Sequence, residues 1–87
     1  MKLLISIYPD ANTTCKTIAN LAAEINAGAK NLDLYDLETV FRSESILYPS
    51  LNESYQIVHT EPECLIIYKE KTEDVLLPAL EIKKIDL

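Results

Sequence analysis

The sequence predicts an α/β domain: a mixed four-stranded sheet in the order β-α-β-α-β-β, with a short or missing C-terminal helix. Three observations predict it. A run of strand formers at residues 3–8 precedes a helical stripe and then a second apolar run at residues 32–37, the pattern of a strand–helix–strand unit. Apolar runs at residues 64–68 and 75–77 flank a short polar segment, the pattern of an antiparallel hairpin. The chain has 87 residues, 48% of them hydrophobic, enough for one packed core and too few for a second. Residues 1–87 are therefore read as a single domain.

The elements follow in order. Leu3-Leu4-Ile5-Ser6-Ile7-Tyr8, stopped by Pro9-Asp10, reads as a strand buried on both faces. Asn12, Thr13 and Thr14 offer N-cap oxygens. Cys15, Ile18, Ala19, Leu21, Ala22 and Ile25 then fall on one stripe at spacings of three and four. Gly28, the only glycine, stands where a left-handed residue ends a helix, which gives a helix over residues 14–26. Leu32, Leu34, Tyr35 and Leu37 read as the second strand, parallel to the first through a right-handed crossover. Residues 38–48 suit a helix that Pro49 ends, and residues 49–54 a loop. Residues 64–68 form a buried strand, residues 69–74 a polar turn, and residues 75–77 open the fourth strand. Residues 78–87 fit either a short helix starting at proline or an extended edge segment.

Composition narrows the function. A net charge of −6 opposes a nucleic-acid surface, which needs clustered lysine and arginine. The N-terminal apolar run is too short for a signal h-region or a membrane span, so the expectation is a cytoplasmic protein with no membrane partner. Two cysteines are too few for a secreted disulfide scaffold. With His59 they supply only three soft ligands and no local pair, so no metal is expected.

The residues carry a family likeness. LISIYPDANTTCKTIANLAAEI, residues 4–25, resembles the first strand, active-site turn and first helix of thioredoxins, where Cys-Gly-Pro-Cys precedes Lys and an Ile-Ala pair. Here Cys15-Lys16-Thr17-Ile18-Ala19 follows that pattern. Tyr55-Gln56-Ile57, Pro62 and the run from Leu65 to Lys69 resemble the segment around the family's cis-proline, with one extra residue before the proline. Together the two stretches cover roughly half of the chain. The resemblance implies a thioredoxin-like (thioredoxin–glutaredoxin) domain with a cis bond before Pro62 facing Asn12 to Cys15. It also implies a break in the chemistry. Asn12 stands at the nucleophile position and Thr13-Thr14 at the Gly-Pro, leaving only Cys15 at the resolving position. An asparagine amide forms no mixed disulfide, so dithiol redox activity is lost.

Two functions follow. The first is a non-redox module that binds a protein or peptide, without a cofactor, through Asn12, Thr13, Thr14, Glu61 and Pro62. The family binds extended peptides in that region by added-strand hydrogen bonding. The alternative is a monothiol oxidoreductase in which Cys15 is catalytic and glutathione is the co-reactant. Cys15 has a plainer role as a core residue, free cysteine being among the most buried types, or as half of a disulfide with Cys64. Packing is also the ordinary role for Cys64. His59 reads as an exposed loop residue, and Asp33 and Asp36 as strand-end or solvent-facing carboxylates. Tyr8, Tyr48, Tyr55 and Tyr68 read as core or half-core aromatics, with Tyr8 placed to line a groove. An open sheet edge pairing with a second copy is a third, structural reading.

Overall fold

The structure is a computed structural model that describes residues 2–60 and 63–85. Its elements are β1 (Leu3–Ile7), α1 (Thr13–Asn26), α2 (Leu34–Leu47), α3 (Pro49–Ser54), β2 (Tyr55–Thr60), β3 (Cys64–Thr72) and β4 (Val75–Lys84). The strands form one sheet in the order β1-β4-β3-β2, and every pairing is antiparallel. The chain is thus α/β in composition. The expected mixed sheet with a β-α-β-α-β-β order is replaced by β-α-α-α-β-β-β.

The difference arises at residues 32–37. Asp33 caps α2 with a capping box: Asp36 N–H donates to Asp33 Oδ1 at 3.1 Å and Asp33 N–H to Asp36 Oδ2 at 2.9 Å. Leu34, Leu37 and Phe41 then recur at helical spacing, all buried. Leu32, Leu34 and Leu37 carry a strand-like alternation as well, but the two aspartates commit the segment to a helix. Without a strand here no parallel crossover forms, and α1 and α2 pack side by side on one face of the sheet.

α1 follows its signals. The Asn12 side chain accepts from Cys15 N–H at 2.9 Å. At the other end Gly28, at φ +77°, completes a Schellman turn in which Gly28 N–H bonds Ile25 O and Ala29 N–H bonds Glu24 O. Proline at the first position of α3 starts a short helix where a loop was expected. The hairpin is present, but β3 runs through Thr72, so the turn shrinks to Glu73-Asp74. The C-terminal segment, open in sequence between helix and strand, continues β4 to Lys84 and pairs with β1.

The core joins Cys15, Ile18, Ala22 and Ile25 of α1, Leu34, Leu37 and Phe41 of α2, and Leu51 of α3 to Leu3, Leu65, Ile67, Leu80 and Ile82 of the sheet. Leu65 and Ile67 are buried while Cys64, Ile66 and Tyr68, which alternate with them, are only half-buried, so the helices cover one face. β1 is accordingly not buried on both faces. It is an outer strand whose Leu4 and Ile7 are 51% and 56% exposed.

Candidate binding groove

Asn12, Thr13 and Thr14 come together on the rim of a groove of about 590 Å³ at the N-terminal end of α1. Thr17, one turn further, shares that wall, its hydroxyl donating to Thr13 O at 3.0 Å. The facing wall is Glu44 and Tyr48 from the end of α2, with Ser50, Leu51 and Ser54 of α3. Tyr55 and Lys69 complete the lining, the Lys69 ammonium lying 4.9 Å from the centre of the Tyr55 ring. The Tyr55 hydroxyl donates to Asp10 O at 2.7 Å, and the Asp10 carboxylate accepts from Lys71 Nζ at 3.1 Å. These bonds tie the turn before α1 to β2 and β3, which sets the width of the groove.

The groove presents hydroxyls, one ammonium, one carboxylate and aromatic faces. Burial, with the Asp10 carboxylate as a lesser effect, pushes the Tyr55 phenol up, so its hydroxyl stays protonated and donating. The lining suits hydrogen bonding to a polar chain.

Cys15 lies beneath the rim with no exposed surface. Burial pushes its thiol up; the backbone N–H groups that pull the other way are the smaller effect. Cys64 is also free, and burial together with the Glu81 carboxylate pushes its thiol up too. The disulfide between them, one of the sequence readings, is absent. Cys15 packs into the core from the buried face of α1, whereas Cys64 alternates with Leu65 and Ile67 and faces the side of the sheet without helices.

Three expectations are corrected here. His59 is not an exposed loop residue: it lies in β2 with a side chain only 9% exposed, under the Tyr35 ring at 4.5 Å and bonded through Nδ1 to Glu38 Oε1 at 3.0 Å. Asp33 and Asp36 cap a helix and are not strand-end carboxylates. Tyr48, at 59% exposure, is a wall of the groove and not a core aromatic, while Tyr8, at 36%, does not line it. Glu61 and Pro62, with the cis bond expected between them, lie outside the described residues.

Tyr48, Ser50, Ser54 and Lys69 were not candidates in sequence. The usable signal was Tyr48-Pro49-Ser50, a proline-led helix start directly after a helix end, which folds the chain back towards α1. Among the described residues no group of three or more His, Cys, Asp and Glu side chains converges as a metal site, and no helix is long and apolar enough to cross a membrane. No protein-family model, curated protein or solved structure matches the chain.

Proposed function

We propose that this protein is a non-redox binding module whose groove at the head of α1 receives a segment of a partner protein. The observation that carries the reading is the placement of Asn12, Thr13 and Thr14 on the rim of an open cavity, directly above a thiol that is fully buried and held protonated. A polar, aromatic-walled groove of about 590 Å³ accommodates a few residues of extended chain. The monothiol alternative needs an exposed thiolate to attack a disulfide, and a desolvated Cys15 is poorly suited to supply one.

The test is selection from a random displayed-peptide library, counter-selected against Thr17→Tyr, which fills the groove from an exposed helical position. Peptides that bind the wild type and lose affinity for Thr17→Tyr support the reading, and Cys15→Ala should bind them unchanged. Recovery of no groove-dependent peptide, or catalysed reduction of a glutathione mixed disulfide that Cys15→Ala abolishes, would overturn it.

A further inference from the structure

β2 is the outer strand on the side away from β1, and its register shows which backbone groups it leaves open. Lys84 N–H bonds Glu63 O at 3.1 Å, one residue out of step with the Cys64–Lys83 pair. That pair is therefore a non-hydrogen-bonded one, and Cys64 turns its N–H and C=O towards β2. Cys64–Thr60 is then hydrogen-bonded, and alternation along the regular β2–β3 register sends the Val58 and Gln56 groups inward. The N–H and C=O of Ile57 and His59 point outward, with the Tyr55 carbonyl; the Tyr55 N–H is taken by Leu51 O. Nothing in Tyr-Gln-Ile-Val-His-Thr blunts this edge, for it contains no lysine, acid or proline.

Beside the edge runs a second groove of about 560 Å³, walled by Phe41, Arg42, Ser45 and Ile46 of α2 and by Asn52 after them. Arg42 is the only arginine in the chain and the only charged side chain in this lining. Its Nε and one Nη both donate to Glu38 Oε2, at 2.9 and 2.8 Å, while His59 holds the other Glu38 oxygen. Glu38 thereby holds the guanidinium, and the Arg42 side chain is 62% exposed. Ile46, one turn on, is 80% exposed.

We propose that this edge is a docking groove for an extended segment of a partner protein, which adds a strand to β2 and carries an acidic side chain two residues from an apolar one. The carboxylate meets Arg42 and the apolar side chain covers Ile46. One helical turn rises ~5.4 Å, close to the ~6.7 Å between alternate residues of a strand, so the two contacts fall on one face of the added strand. Charge selects the occupant. Within β2 itself a second copy carries no carboxylate to set against Arg42.

The probe is a fluorescein-labelled peptide, Thr-Ile-Thr-Glu-Thr-Val-Thr, titrated into the full chain by anisotropy and by amide shift mapping. The Glu peptide should bind about tenfold more tightly than its Gln or Lys counterpart. Arg42→Gln should remove that preference, and Thr17→Tyr, which blocks only the other groove, should leave it intact. N-methylation of the peptide at one set of alternate residues should abolish binding, and at the other set should not. Shifts should centre on residues 55–60 and α2. Equal binding of the three peptides, no binding at millimolar concentration, or insensitivity to Arg42→Gln would overturn the proposal. So would sedimentation of the unliganded chain as a dimer joined through residues 55–60, which would give the edge to a second copy.

Discussion

β1 and β2 stand at opposite margins of the sheet, and both are short and contain no lysine, arginine or acid. At β1 a side chain completes the edge: Asn26 Oδ1 accepts from Leu3 N–H at 2.7 Å and Asn26 Nδ2 donates to Leu3 O at 2.8 Å. A primary amide presents the same donor–acceptor pair as a strand residue, so one asparagine at the end of α1 supplies the first rung of a missing neighbour. At β2 α2 stands beside the strand, yet its polar groups engage one another and the His59 ring, and the backbone edge stays open. One margin is sealed at its entry by the helix that follows it. The other is left accessible beside a groove, which is what a strand that recruits a partner requires.

The largest expected effect comes from removing what seats α2 beside β2. Phe41 is 2% exposed in the core, and Phe41→Ala should cost about 3–5 kcal/mol in chemical denaturation. Amide exchange should quicken more in β2 than in β1. Equal loss of protection at both strands would show that the two margins unfold as one unit.

Asn26→Ala opens the sealed margin and should cost about 2 kcal/mol, since it leaves the Leu3 N–H and C=O without their partner. It should also raise the tendency to self-associate, seen by light scattering. Asn26→Asp keeps the acceptor but sets a carboxylate against the Leu3 carbonyl, and should be no better. If either variant stays monomeric and within ~0.5 kcal/mol of wild type, water satisfies Leu3 and the contrast between the margins fails.

How far the sequence foretold these margins depends on how local the signals are. α1 was legible from end to end because Asn12, the apolar stripe and Gly28 all lie within one stretch and agree. The hairpin was legible for the same reason. α2 was not, because Leu32, Leu34 and Leu37 satisfy a period of two as readily as helical spacing over so few residues. The deciding signal is Asp33 and Asp36 three apart, the two halves of a capping box, which a strand reading makes strand-end or solvent-facing carboxylates. The parallel sheet expected from residues 32–37 rests on that ambiguity. Asn12, Thr13 and Thr14 are singled out in sequence by the likeness to the thioredoxin turn, and they line the groove. Tyr48 and Lys69 reach it only through tertiary packing, and His59 belongs to a strand defined by its pairing with β3.

Replacing the Asp33 cap tests whether the capping box sets the start of α2. Asp33→Ala removes one arm of the capping box and should cost about 1 kcal/mol, with the loss of helix confined to the first turn of α2. The His59–Tyr35 contact sits over that turn, so amide shifts of β2 should move while those of β1 do not. Unchanged stability would mean that burial of Leu34 and Leu37 alone holds the helix start.

The smallest effect is one of pH, and it belongs to β2 alone. Hydrogen bonds from Arg42 and then His59, with burial opposing them, hold the Glu38 carboxyl below the usual carboxylate range. A carboxyl whose folded pKa is depressed contributes stability that is fully present above its unfolded value and is lost as pH falls through the folded one. Glu38→Gln removes that contribution. Wild type and variant should therefore differ most near neutral pH and converge as the solution is acidified through and below the ordinary carboxylate range. The difference should stay under about 1 kcal/mol, since the Arg42 partner is largely exposed and salt screens it. Amide exchange in β2, where His59 faces Glu38, should quicken over the same interval. β1 should not respond, because the group that closes its edge is an amide with no proton to gain. A difference between the two proteins that is constant with pH would mean that Glu38 serves β2 by shape and hydrogen bonding and not by its charge.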